Sequence, residues 1–264
     1  IKSSNKARIL SRFSRVYISS GITDKGIDLI KEGIRLSENS GQTIERYFNL
    51  FKGLIYSGKL IDAISEIDKF ESNLNNLSLS ELELLKCSVG INLFKAVIFA
   101  HSNNKKRAFS SFESYVSASS KLINFLGFKK NITDQLSSYP GSNSTRFRDA
   151  GPMQILVNEI WINILVGEHA NASNLLSEMK SKYSNEPKHW IGLLKVMQGE
   201  TENALEILNP IRFGYFQYFK AQAQLNLGEK EKATQLLDSV RRLPNGNFYN
   251  NFIIKRADDL LKNI

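Results

Sequence analysis

At 264 residues the chain exceeds one ordinary domain, which leaves two domains or an elongated array. Its 42% hydrophobic and 23% charged residues suit a chain that buries a core, and no run approaches the roughly 18 apolar residues of a membrane span. The 35 lysines and arginines against 26 acids leave a net charge of +9, which raises nucleic acid or an acidic surface as partner. The basic residues are scattered, however, as Arg8, Arg12 and Arg15, then Lys105 to Arg107, then Lys129 and Lys130. None comes with the aromatic interleaving of an RNA-binding sheet, so a nucleic-acid partner is not expected.

Taken in chain order, RILSRFSRVYIS and IDLIKEGIRL have apolar residues at helical spacing on either side of Gly21. Two further helices flank Gly58. Leu79–Leu126 keeps the helical period without a turn glycine, with KAVIFAHSNN closing one helix and KKRAFSSFESYVSASSKLINFL forming the next. From Gly127 to Pro152 the period is lost in Ser, Asn, Gly and Pro, which predicts a loop or linker between blocks at 1–126 and 153–264. Helix pairs then flank Gly167, Gly199 and Gly228, and FYNNFIIKRADDLLKNI ends the chain with Phe252, Ile253, Ala257, Leu260 and Leu261 on one face. Cys87 falls at an apolar position and is expected in the core, as are Trp161 and Trp190. An opening on Ile1 rather than methionine reads as a trimmed piece of a longer polypeptide.

A glycine followed five positions later by a small residue recurs as Gly21 and Gly26, Gly58 and Ala63, Gly167 and Ala172, Gly199 and Ala204, and Gly228 and Ala233. The glycine reads as a left-handed helix stop, and the small residue as the point where the next helix packs back on its predecessor. Successive glycines lie 37 residues apart from Gly21 to Gly58, 32 from Gly167 to Gly199, and 29 from Gly199 to Gly228. These bracket the 34 residues of the tetratricopeptide repeat. With Leu10, Phe13, Ser14, Tyr17, Gly26, Ile30 and Gly33 in the first unit, and Tyr47, Leu50, Leu54, Gly58, Ala63, Ile67 and Phe70 in the second, the chain resembles that superfamily. The resemblance implies an all-α solenoid of about six helix-turn-helix units with a C-terminal capping helix, because one hairpin alone cannot bury its apolar stripe.

The resemblance also implies a binding wall formed by the first helix of each unit. Its inward positions fall on Arg8, Ser11, Arg15 and Ile18 in the first unit, Glu45, Phe48, Lys52 and Ile55 in the second, and Tyr215, Tyr218, Gln222 and Leu225 in the last. Arg8, Arg15, Phe48, Lys52, Tyr215, Tyr218 and Gln222 are therefore the candidate partner-binding residues, for a protein or peptide segment carrying an acidic group. Packing of Tyr215 and Tyr218 between adjacent helices is the competing reading.

Catalytic, metal-binding and cofactor-binding residues are not expected. The chain has no phosphate-cradling glycine loop, zinc-type cluster or nucleophile elbow. Of the three histidines, His101 and His169 fall at helix ends, where solvated or capping roles are usual, and His189 begins a helix beside Trp190. The function that follows is a non-catalytic protein-interaction scaffold or adaptor. The alternative is a regulatory or sensory module of a larger bacterial signalling protein, because the C-terminal half is similar to the tetratricopeptide tails of Ser/Thr kinases and winged-helix regulators.

Overall fold

The structure is a computed structural model that describes residues 3–126, 152–183, 187–243 and 248–264. Among these residues the regular structure is all helical. Six antiparallel hairpins follow one another. They are α1 (Ser3–Ser19) with α2 (Thr23–Arg35), α3 (Ser40–Tyr56) with α4 (Leu60–Asn73), and α5 (Glu81–His101) with α6 (Lys105–Leu126). Then come α7 (Pro152–Leu165) with α8 (His169–Tyr183), α9 (Lys188–Met197) with α10 (Thr201–Leu208), and α11 (Gly214–Asn226) with α12 (Lys230–Arg241). Two short helices, α13 (Phe248–Asn251) and α14 (Ile254–Leu261), close the chain. The segment predicted as a loop or linker lies outside the described residues, except for Pro152, which begins α7.

The hairpin turns have one chemistry. Gly21, Gly58, Gly167, Gly199 and Gly228 all sit at φ between 74° and 81°, a region that costs a side chain about 1–2 kcal/mol. Each turn closes with two crossed bonds. In the fifth hairpin Gly199 N–H donates to Val196 O at 3.1 Å and Glu200 N–H to Lys195 O at 2.9 Å, which satisfies carbonyls that the helix end leaves open. The third hairpin, which carries no turn glycine, uses Asn103 at φ 54°, with Asn103 N–H donating to Ala100 O and Asn104 N–H to Phe99 O. Asparagine tolerates the left-handed region better than most residues.

Five positions after each turn residue the small side chain is where the second helix meets the first. Ala63, Ala108, Ala172, Ala204 and Ala233 are all fully buried. At Gly26 an added methyl would lie 2.9 Å from Ser14 O and 2.5 Å from Ile18 Cγ1.

Hairpins then stack. Each second helix touches the first helix of the next unit, from α2 on α3 through α10 on α11, and α7 packs on both α5 and α6. This is the logic of a solenoid, in which each unit covers the apolar stripe of the next. Cys87 and both tryptophans are buried, as their apolar settings imply.

The C-terminal segment does more than cap the last hairpin. Helix α14 packs on α12, but α13 also reaches α3 in the second hairpin. Tyr56 Oη donates to Leu243 O at 3.2 Å, and Arg256 donates to His101 O at 2.7 Å. Phe252 stacks on His101 at 4.5 Å, and Tyr249 packs on Trp161 at 4.6 Å and on Trp190 at 6.1 Å. Residues 249–257 thus fill the space between the first helices of hairpins two to six.

Candidate functional site

That filling decides which expected binding residues face solvent. Phe48 is 7% exposed and packs edge-on against Phe51, Phe70 and Phe94 at 5.6–6.2 Å. Tyr215 is fully buried, with its hydroxyl accepting a 2.7 Å bond from Trp161 Nε1 and its ionisation pushed far up by desolvation. Tyr218 is 6% exposed, and burial raises its pKa too. Gln222 is half-buried and donates to Tyr218 Oη at 3.3 Å, and Lys52 is half-buried on α3. The aromatic end of the expected wall is therefore interior here, with Tyr215 packed on Tyr249 at 5.8 Å and on Trp161 at 5.6 Å.

His101 departs from its expected place more sharply. It does end α5, but it is 7% exposed, neither ring nitrogen has a hydrogen-bond partner, and the ring lies 4.5 Å over Phe252. Burial first, and then the positive charge of Arg256, hold its pKa well below the usual histidine value. A group that cannot be charged, solvated or hydrogen-bonded belongs to the core. His189 is half-buried beside Phe216, with its pKa lowered by the same desolvation, and His169 is half-buried at the start of α8.

The basic end of the wall is open. Arg8, Ser11, Arg12 and Arg15 share one face of α1 because residues four and three apart neighbour one another on a helix. Gln42, Glu45 and Arg46 face them from α3, and with Asn5 they line a groove of 410 Å³. Its electrostatics are lopsided. Arg15 reaches Glu45 only at 4.0 Å, and Arg8 and Arg12 meet no carboxylate among the described residues. Arg46 is the recessed member at 7% exposure. It donates to Ser37 Oγ, and to Gln42 Oε1 at 3.2 Å, without an ion pair among the described residues. Its place depends on Gly33, where an added methyl would stand 3.4 Å from Arg46 Cδ. Desolvation lowers the Arg46 pKa, and Glu45 and Glu38 oppose that shift. A guanidinium stays charged regardless, so the groove holds four positive groups against one carboxylate.

Arg12 and Arg46 were not among the expected binding residues. Arg46 lies next to Glu45, an inward position of α3, and Arg12 lies one residue beyond Ser11, so both were reachable from helical geometry. Among the described residues no cluster of three or more metal-ligating side chains forms, and no helix is long and apolar enough to cross a membrane.

The fold and groove together define a helical-hairpin solenoid with one open, basic inner edge. No protein-family model matches the chain, and no curated protein matches it in sequence. Among solved structures it is similar to a tetratricopeptide repeat protein from Parabacteroides merdae, at 13% identity and a TM-score of 0.39, covering 98% of this chain and 99% of that one.

Proposed function

We propose that this chain is a non-catalytic protein-interaction scaffold, and that its partner engages the α1–α3 groove rather than the centre of the solenoid. The observation that carries this reading is the groove's uncompensated charge. Arg8 and Arg12 form no ion pair among the described residues, and Arg46 feels Glu45 and Glu38 without pairing with either, while Lys59, Lys95, Lys105 and Lys195 all pair with acids elsewhere. Guanidinium groups clustered without counter-charge repel one another, and an acidic ligand relieves that repulsion with bidentate hydrogen bonds. Arg8 and Arg15 keep their place in this reading, joined by Arg12 and Arg46.

The test is affinity capture from the source cell with the wild-type chain and with Arg8→Glu/Arg12→Glu. Both side chains are exposed, so the variant keeps its fold. The reading expects a defined protein captured by wild type and lost by the variant. Capture that the substitutions leave intact removes the groove from the function.

A further inference from the structure

A guanidinium taken out of water is ordinarily matched by a carboxylate, because leaving its charge buried and unpaired is costly. Arg46, at 7% exposure, is held in another way. Its Nη1 donates to Ser37 Oγ and Gln42 Oε1, two neutral acceptors, and Ser37 Oγ donates in turn to Gly33 O at 3.1 Å. Among the described residues Nε and Nη2 have no hydrogen-bond partner. The group is thus fixed in direction by bonds that do not neutralise it, with the Nε–Nη2 edge of its fork unspent. It lines the α1–α3 groove together with the exposed Arg8, Arg12 and Arg15. Four guanidinium groups there meet Glu45 in the lining and Glu38 outside it, so the site keeps two positive charges over.

The groove does not owe its opening to where the chain begins. One unit on, 37 residues later as between Gly21 and Gly58, the positions of Arg8, Arg12 and Arg15 are held by Glu45, Asn49 and Lys52. All three stay half-buried although the first hairpin packs ahead of them, while Leu50 and Gly53, the equivalents of Phe13 and Val16, are buried by it. A further hairpin of the same polypeptide ahead of α1 would therefore cover Phe13 and Val16 and leave the arginine face accessible.

We propose that the α1–α3 groove is a phosphate site, in which the doubly charged phosphate monoester of a partner's side chain lies on the open edge of the Arg46 fork, with Arg8 and Arg12 closing over it. Charge and oxygen count select this group. A carboxylate brings one negative charge, and a bidentate fork takes both of its oxygens. A phosphate monoester carries about −1.5 to −2 at pH 7, which matches the excess in the groove, and has a third oxygen left for the exposed arginines. The phosphodiesters of nucleic acid bring a single charge per phosphate and are held along a backbone, from which one group does not enter a groove to meet a recessed guanidinium.

This inference rests on the proposed function and names the acidic group of its partner. The test titrates the full chain with a fluorescein-labelled peptide of neutral residues around one phosphoserine, followed by anisotropy. Binding is expected to be about tenfold tighter than for the serine and aspartate twins of the peptide, and to weaken about tenfold in Arg12→Gln, an exposed position that leaves the core alone. Arg46→Lys keeps the charge and removes the fork, so it should weaken binding to a similar degree with an unchanged circular dichroism spectrum. Equal affinity for the aspartate peptide overturns the dianion, and equal affinity in both variants overturns the place. Inorganic phosphate that competes as tightly as the peptide leaves the site standing with the free ion as its ligand, and removes the partner's phosphate. Single-stranded RNA bound more tightly than the phosphopeptide, with the same residue dependence, overturns the monoester. Loss of phosphopeptide binding in a longer natural form of the polypeptide gives the groove to a segment of the same chain and also overturns the proposal. If a cellular partner is captured through Arg8 and Arg12 and capture survives phosphatase treatment, the scaffold reading stands and this one falls.

Discussion

Replacing Gly199 by alanine isolates the conformational part of the hairpin turn. Gly199 sits at φ 79°, and an added methyl would meet nothing within 4 Å, so no steric term enters. The left-handed backbone costs an L-residue about 1–2 kcal/mol, and the stiffer unfolded chain returns up to about 1 kcal/mol, for a net loss near 1 kcal/mol. Gly26→Ala tests the packing part, since its methyl would lie 2.9 Å from Ser14 O and 2.5 Å from Ile18 Cγ1. Overpacking of that kind costs about 1–3 kcal/mol, and the carbonyl is backbone that can yield only by moving α1 off α2. Asn103→Gly should be near neutral, within about 0.5 kcal/mol, because the relief at φ 54° offsets the added chain entropy. Urea unfolding followed by far-ultraviolet circular dichroism measures all three. The bonds that Leu243 and Arg256 make with Tyr56 and His101 of hairpins two and three tie distant units together and favour one transition. The reasoning is refuted if Gly199→Ala costs more than Gly26→Ala, or if Asn103→Gly destabilises by more than about 1 kcal/mol.

Acid should weaken the protein through His101. The buried ring stays neutral in the folded state while the unfolded chain protonates near pH 6.5, so this contribution is intact above that pH. It is lost as pH falls below, by up to about 1.4 kcal/mol per pH unit. His189, also depressed by burial, acts in the same window. Urea midpoints at pH 7.5 and 5.0 should therefore diverge less in His101→Phe than in wild type, and equal divergence removes His101 from the account. Tyr215→Phe deletes the acceptor of the 2.7 Å bond from Trp161 Nε1 and should cost about 1–3 kcal/mol in the same assay, whereas a neutral result makes that bond incidental.

The hairpins were legible because one conformational need recurs. Only glycine enters the left-handed region freely, and among the described residues the five turn glycines of the sequence are the five glycines that sit there. Asn103 escaped notice because asparagine is common in loops for other reasons. The signal was nonetheless present, since Ala108 follows it at the same five-residue interval that links Gly58 to Ala63. The apolar face of residues 252–261 was also readable, as helical periodicity depends on neighbours in sequence. Its destination was not. That Phe252 stacks on His101 and Arg256 bonds its carbonyl depends on how far six hairpins curl, a sum of small rotations that no local pattern encodes. The same curl left Tyr215 and Tyr218 buried, while Phe48 is covered by Phe51, Phe70 and Phe94 of its own and the next hairpin and Arg8 and Arg15, at the first hairpin, stayed at an open edge.

The account turns on the interior of the solenoid being filled by residues 249–257, and the two tryptophans report on that directly. Trp161 is fully buried and Trp190 is 3% exposed, with Tyr249 against both and Phe252 against Trp161. Acrylamide quenching of their emission should be several-fold weaker than for free tryptophan, and should rise in Phe252→Ala. Quenching in the wild-type chain as efficient as in free solution would mean that the inner wall is open, and that partner binding belongs at the centre of the array after all.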